Sequence, residues 1–433
     1  MFYTKCILLL SCILFLFSIK ISGQSIEADT LVTNNKIKHW GYEGEFQVGR
    51  ILILDKYQKA YMKNREDYSM SLKFNHVSLP SDNDAYAAAY NYPTFSIVAK
   101  YSKNNRASMH RDKDFPHWDY LSDEYYEIAP YTTHLGNSFA LYGSFSYPIL
   151  RNKKWEIDIS GNLGLSYSSK KYDKEHSVDN DMIGSHFLFY AGGGLNATYR
   201  ISNSWGIKAG VDYWHISDGS TRQPNRSANV LGPTLGLIYY PYYSTLLNTI
   251  IDYHPPRFRP YWYINIKAGI GVKTCFEDWE RTQYNLTKED PDWRTDDFTL
   301  YSVASIQTDL MYRYSRIGAI GGGLDIQYSS CYSHIWDIDN ERSVSCPHSP
   351  WSLAFDIKHT LFYGNVSFAL GAGIYLFREM GDYSNRKEPF YYNRIGVHYT
   401  IPKVNNLTLG IEVKAHLTNA DFTEFMISWP IKI

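Results

Sequence analysis

The sequence has no excess of positive or negative residues: 43 Lys and Arg stand against 44 Asp and Glu, a formal net charge of −1. Nothing in that balance favours a nucleic acid or a polybasic hold on a membrane surface. Long apolar runs are also missing. Only one approaches the length of a spanning helix, and it lies at the N-terminus, which excludes a bundle of membrane-spanning helices. Charged residues make up 20%, and cysteine is rare, with five in 433 residues. No Cys/His set at zinc spacing and no acidic loop of calcium type can be drawn from them, so no metal or cofactor is expected. Aromatic residues are what the chain has in plenty, with 39 Tyr, 21 Phe and 11 Trp, 16% in all. A chain this aromatic can bury ample surface, which excludes disorder.

The N-terminal run reads as an export signal over 1–23, with Lys5 before an apolar stretch from Cys6 to Phe17 and then Ser18, Ser22 and Gly23. Cys12 lacks the small residues that precede a lipidated cysteine. Cleavage leaves Cys275, Cys331 and Cys346, an odd count that permits one disulfide and one free thiol. Cys331 and Cys346 lie close enough in sequence to staple one loop.

From about Tyr42 onward the chain alternates with period two. In Trp262–Val272, Trp262, Ile264, Ile266, Ala268, Ile270 and Val272 oppose Tyr263, Asn265, Lys267, Gly269 and Gly271. Such stretches run ten or more residues, long for soluble strands and long enough to cross a bilayer at a tilt. One apolar face against one polar, glycine-dotted face is the pattern of a transmembrane barrel, whose strands must close because lipid offers the backbone no partner. Sixteen strands are expected, at 43–53, 68–79, 94–103, 137–149, 155–168, 185–201, 204–217, 229–241, 259–274, 297–314, 316–331, 350–363, 366–378, 389–401, 406–418 and 422–432. The fold class is all-β, an antiparallel transmembrane barrel of about sixteen strands. Very short connectors such as 151–154, 202–203 and 364–365 alternate with longer polar ones, which puts the short turns on the periplasmic side. Trp155 and Trp205 follow short turns, where an interfacial aromatic girdle belongs. Connectors 80–93 and 242–258 are too long for tidy turns, so fourteen strands, or two smaller barrels, stay open.

The chemistry gathers on the seventh strand. Trp205, Ile207, Ala209, Val211, Tyr213, His215 and Ser217 share one face, since strand side chains repeat every two residues. That apolar face should look at lipid, so a His and a Ser project from the outer wall near the external end. A serine becomes a nucleophile when a neighbouring base takes its proton, and histidine has the basicity for it near neutral pH.

The run from His215 through Ser217, Asp218, Pro224 and Asn225 to Asn229 resembles the signature of the lipid A 3-O-deacylase family, outer-membrane acyloxyacyl-hydrolase-like barrels. That family's pattern is His-x-Ser-Asn, a small residue, Pro-Asn and a Glu four residues later. The resemblance implies hydrolysis of the 3-linked acyl ester of lipid A by a Ser-His-Glu triad on the barrel exterior, without metal. By it Ser217 is the nucleophile, His215 the general base and Asn225 an oxyanion-hole donor. Asp218 stands where the family usually has Asn, and Asn229 where it has the triad Glu. An amide at 229 still orients an imidazole but brings no negative charge to it. Strand parity puts Asn229 on the apolar face with Leu231, Leu235 and Leu237, beside Ser217.

A near-match at His416 fails on parity, because Leu409, Ile411, Val413 and Ala415 form the apolar face and His416 and Thr418 point to the lumen. His186 and His359 have no partner pattern, and the glycine runs 192–194 and 321–323 lack the strand–loop–helix context of phosphate loops. The expected organisation is a signal peptide at 1–23, deacylase-like strands over 42–241 and further barrel strands over 258–433. The expected function is that of an integral outer-membrane esterase acting on lipid A or a related outer-leaflet lipid. The alternative is a non-catalytic barrel, a channel or surface-binding protein, that keeps the motif as scaffold.

Overall fold

The computed structural model describes residues 39–433 except 55, 112–116, 119–124, 127–130, 178–179, 250–252, 285–293 and 418. The expected signal peptide at 1–23 lies outside the described residues. All sixteen expected strands form, with bounds within four residues of expectation. They are β1 (Trp40–Ile51), β2 (Glu66–Val77), β3 (Thr94–Lys103), β4 (Ser138–Arg151), β5 (Trp155–Ser168), β6 (Phe187–Arg200), β7 (Trp205–Ser217) and β8 (Ala228–Tyr239). There follow β9 (Tyr261–Lys273), β10 (Tyr301–Arg313), β11 (Gly318–Ser329), β12 (His348–Tyr363), β13 (Val366–Met380), β14 (Tyr391–Ile401), β15 (Leu407–His416) and β16 (Asn419–Lys432).

Their closure corrects the expectation of a single sixteen-stranded ring in favour of the alternative left open, two smaller barrels. The strands form two closed eight-stranded barrels, each an antiparallel meander. In the first, β1 pairs with β8, Tyr42 opposite Tyr239 and Ile51 opposite Val230. In the second, β9 pairs with β16, Tyr263 opposite Lys432 and Val272 opposite Thr423. The inward side chains explain the choice, since eight strands enclose a space that side chains just fill. In the first barrel Lys73 Nζ lies 2.9 Å from Glu43 and 2.8 Å from Glu45, and Lys208 Nζ lies 3.2 Å from Glu43. Above them Tyr142 stacks on Tyr190 at 4.3 Å, and the Trp214 indole N–H donates to Gln47 Oε1 at 3.2 Å. In the second barrel Arg394 joins Asp325, Glu412 and Glu424, and Lys358 Nζ sits 2.7 Å from Asp309 and 3.0 Å from Asp356. Charges taken out of bulk water in this way persist only as pairs.

The outer faces are apolar. Leu72, Ile97, Leu195 and Leu235 on the first barrel, and Ile270, Ile306, Leu376 and Phe425 on the second, are exposed. Among the described residues no helix is long and apolar enough to cross a membrane. Trp155 lies against Tyr199 and Trp205 against Tyr239, ring centroids 4.9 and 5.0 Å apart, beside the short turns.

Both over-long connectors have structural work. Residues 80–93 hold a 3-10 turn, Pro80–Asp82, and a helix, Ala85–Ala89, whose first N–H groups donate to Asp84. The connector between the barrels carries the helix Tyr243–Thr249. Leu79, Ala87, Tyr92, Tyr240, Tyr243 and Leu246 close into one buried cluster at the short-turn rim. Tyr363 of the second barrel reaches it and donates to Asp84 Oδ2 at 2.9 Å, while Arg313 donates to the Tyr86 hydroxyl at 3.2 Å. The barrels are therefore fastened together at this end.

Cys331 and Cys346, close enough in sequence to staple one loop, are not paired. All three described cysteines are free. Cys331 belongs to a buried cluster with Cys275, whereas Cys346 sits beside Asp339 and His348.

Candidate active site

β7 rises to the long-loop rim and ends at Ser217, and its burial alternates, with Trp205, Ile207, Ala209 and Val211 exposed on the outer face. Tyr213, His215 and Ser217 continue that face at the rim. β8 descends beside it with Asn229 directly opposite His215, and β6 places Phe189 opposite Ser217. The motif thus sits on the outward-pointing face at the end of the barrel that carries the long loops, with His215 half-buried and Ser217, Asn225 and Asn229 buried rather than projecting freely.

His215 Nδ1 lies 2.8 Å from Asn229 Oδ1, and the Tyr213 hydroxyl donates to the same oxygen at 2.6 Å. The other end of the amide settles its orientation. Asn229 Nδ2 donates to Ser227 Oγ at 3.3 Å, and Ser227 has already spent its proton on Arg226 O at 2.6 Å. Since Asn229 Oδ1 can only accept, the His215 proton is on Nδ1 and its Nε2 lone pair is left for a base. Asn229 is almost fully buried, so this orientation is not diluted by water.

Ser217 Oγ is held from the other side. It donates to Asn225 Oδ1 at 3.1 Å, and both Asn225 Nδ2, at 3.0 Å, and the Gly219 N–H, at 3.2 Å, point at it. Among the described residues no hydrogen bond joins Ser217 Oγ to His215. The two groups share a face two residues apart. Two N–H donors that converge beside a serine hydroxyl can also stabilise charge on an oxygen bonded next to that hydroxyl.

The loop after β7 makes this convergence. Gly219 has φ +67°, and a Cβ there would meet Thr423 Oγ1 at 2.3 Å, so only glycine passes. Asp218 Oδ1 accepts from Ser220 N at 3.0 Å, while Oδ2 is buried with no hydrogen-bond partner among the described residues. Burial pushes this carboxyl up to about 8, so it is neutral at pH 7. A neutral acid has the shape of the asparagine amide for which it stands.

The loop is clamped by the second barrel. Thr274 N and Oγ1 both donate to Ser220 O, at 2.9 and 3.0 Å, and Gln223 Nε2 donates to Thr274 Oγ1 at 3.1 Å. Thr423 Oγ1 donates to Gly219 O at 3.1 Å, and the Arg226 guanidinium lies 5.6 Å from the centre of the Phe276 ring. Sequence reading missed Tyr213, Ser227, Thr274 and Thr423 as supports, because a cross-strand or inter-barrel partner leaves no local motif.

Other singled-out residues sit elsewhere. His416 points inward, its Nε2 2.8 Å from the Tyr375 hydroxyl; Thr418 lies outside the described residues. His186 Nδ1 is 2.7 Å from Ser168 O, and His359 Nε2 is 2.9 Å from the Tyr314 hydroxyl.

Residues 86–237 match the family described as lipid A 3-O-deacylase (PagL). Residues 262–433 match the acyloxyacyl hydrolase C-terminal domain. The chain is similar to a solved structure of the outer membrane enzyme PagL at 13% identity, covering 46% of this chain and 98% of that one, with a TM-score of 0.26. It is similar to OccAB4 of Acinetobacter baumannii at 7% identity, over 93% of this chain and 100% of that one, TM-score 0.21. For OccD3 (OpdP) of Pseudomonas aeruginosa the figures are 9% identity, 91% of each chain and a TM-score of 0.20. No curated protein matches by sequence.

Proposed function

The chain being a member of the lipid A 3-O-deacylase (PagL) family, we propose that it is an integral outer-membrane esterase that removes the 3-linked acyl chain of lipid A or a related outer-leaflet lipid. The observation that carries the reading is the pair of opposed hydrogen-bond sets: Asn229 orients His215 on one side, and Asn225 with Gly219 N–H converges on Ser217 from the other.

In the first step Ser217 Oγ attacks the ester carbonyl while His215 Nε2 takes its proton. The oxyanion is met by Asn225 Nδ2 and the Gly219 N–H, donors worth roughly 3–4 kcal/mol each where such contacts have been removed. Collapse breaks the ester bond, and His215 gives the proton to the departing 3-hydroxyl. Water then attacks the acyl-serine with His215 again as base, releasing the fatty acid and restoring Ser217. Asn229 Oδ1 keeps the Nδ1 proton in place throughout. Exposed Phe187 and Leu231 flank the site on the outer wall, an apolar surface suited to an acyl chain.

The channel reading is disfavoured by the lumens, where Lys73 and Lys208 with Glu43 and Glu45 in one barrel, and Arg394 with its three carboxylates in the other, occupy the bore. The test is mass spectrometry of lipid A from cells carrying the native protein or Ser217→Ala. Loss of one 3-linked acyl chain with the native protein alone is expected. Identical spectra with both barrels folded in the outer membrane would overturn the lipid A reading.

A further inference from the structure

At the long-loop rim of the second barrel, away from Ser217, three metal-ligating side chains of different kinds come together. Asp339 lies near the end of the helix Tyr332–Glu341, Cys346 in the segment that follows it, and His348 at the first residue of β12. Cys346 Sγ is 3.3 Å from Asp339 Oδ2 and 3.7 Å from His348 Nε2, and His348 Nε2 is 2.8 Å from Asp339 Oδ2. One thiol, one imidazole nitrogen and one carboxylate oxygen therefore form a small triangle of ligand atoms.

We propose that Asp339, Cys346 and His348 bind a zinc-class divalent cation, which fastens the cap of the second barrel. The bond lengths of zinc decide the match. With Zn–S near 2.3 Å, Zn–N near 2.05 Å and Zn–O near 2.1 Å, a tetrahedral site has edges of about 3.6 Å for S–N, about 3.6 Å for S–O and about 3.4 Å for N–O. The first two agree with the observed separations to within about 0.3 Å. The third is shorter because His348 now donates directly to the carboxylate, a bond the cation replaces. The ligand set selects the ion: thiolate and imidazole disfavour magnesium and calcium, and a mixed S, N, O site suits zinc.

The surroundings support the triangle. Asp339 is buried, and its Oδ2 accepts from the Asp382 backbone N–H at 2.9 Å, which holds that oxygen toward the other two ligands. Gly381, with φ +103°, presses its backbone against them. A Cβ there would lie 2.9 Å from Asp339 Oδ2 and 3.2 Å from His348 Nε2. Arg342 Nη1 is 3.8 Å from the other carboxylate oxygen, Oδ1, and leaves Oδ2 to the cluster. On the open side a cavity of about 250 Å³, lined by Trp336, Asn340, Ser343, Val344 and Ser345 with Cys346 and His348, has room for the water that completes four-coordination. Binding releases the thiol proton to solvent and moves the imidazole proton from Nε2 to Nδ1, leaving a thiolate and a neutral ring as ligands.

The test uses the full chain in detergent, stripped with chelator and then titrated with zinc or cobalt(II). Expected are one zinc per chain, a thiolate-to-cobalt charge-transfer absorption, and a zinc-dependent rise in the melting temperature of the cap. Outer-shell changes alone weaken metal sites about 10–100-fold. Cys346→Ser, which removes a ligand, should therefore lose the absorption and weaken zinc at least about 100-fold, and His348→Gln should weaken it similarly. Cys331→Ser should keep both signals. Folding of every variant is checked by the heat-dependent gel migration of closed barrels. A native protein that holds no zinc overturns the proposal, as does cobalt absorption that survives Cys346→Ser or disappears with Cys331→Ser.

Discussion

Asn229 is where the proposed mechanism can be made stronger rather than weaker. Asn229→Asp keeps the shape of the side chain and adds the missing charge. The two donors now on Oδ1, His215 Nδ1 at 2.8 Å and the Tyr213 hydroxyl at 2.6 Å, already suit a carboxylate. The second oxygen would face Ser227, now 3.3 Å from Nδ2, whose hydroxyl can rotate away from Arg226 O and donate. Although the site is buried, the new charge would thus have three hydrogen-bond donors, the condition for tolerating it. A hydrogen bond to a charged partner contributes about 1.5–3 kcal/mol, against about 0.5–1.5 for a neutral one. The gain falls on the imidazolium, which exists only as the serine proton is transferred, so about 1–2 kcal/mol should appear as a roughly 5–30-fold rise in kcat/KM. Asn229→Leu should cost about a hundredfold or more, since the ring loses its orientation and the Tyr213 hydroxyl its acceptor. The assay is fatty acid released from purified lipid A in detergent micelles, with folding followed by gel migration. If a folded Asn229→Asp protein is no faster than native and Asn229→Leu is undiminished, His215 is not the base held by residue 229.

Three further outcomes can be measured. Asp218 has its folded-state value raised to about 8, above the ordinary carboxylate range, so its contribution to loop stability is full below about pH 4 and lost as pH rises through about 8. Asp218→Asn should therefore match native activity near pH 6 and exceed it increasingly between about pH 7 and 9, and parallel pH profiles would refute this. Thr274→Val with Thr423→Val removes the hydroxyl bonds to Ser220 O and Gly219 O, at 3.0 and 3.1 Å, while sparing both barrels. At about 0.5–1.5 kcal/mol each, kcat should fall several-fold, and unchanged kinetics would mean that the second barrel does not position the loop. In planar bilayers the native protein should show no steady conductance, and open-channel currents would contradict bores filled by the Lys73 and Arg394 networks.

The strands were legible because each needs only its own side chains to announce itself: alternation from Trp262 to Val272 distinguishes lumen from lipid whatever the neighbours are. Closure was legible only as a choice among alternatives, for the same reason. Which strand Tyr42 of β1 pairs with is a fact about β8, some two hundred residues on, and period-two alternation is identical in a ring of eight and a ring of sixteen. A signal did exist in the inward residues. Lys73, Lys208, Trp214, Lys358 and Arg394 are too large and too well matched to carboxylates and amides to line an open pore. The connectors 80–93 and 242–258, each too long for a turn, marked the seam that they now fill.

The candidate site divides in the same way. His215, Ser217, Asn225 and Asn229 lie within fifteen residues on one strand, one loop and the next strand, so their meeting follows from local parity. Their supports come from far along the chain, and this distance gives the second barrel a physical role. A loop that leaves a single barrel rim is free to fluctuate on the outer side, where donors for a developing oxyanion need to be fixed before reaction. Here Gly219 and Ser220, the backbone beside the proposed oxyanion donor, are tied to Thr423 and Thr274 of the neighbouring barrel, and the same two barrels are fastened at their opposite ends through Tyr363 and Asp84. Fixing both ends turns the second barrel into a brace for that loop. A glycine at 219 is then required twice over, by its φ and by the closeness of the brace.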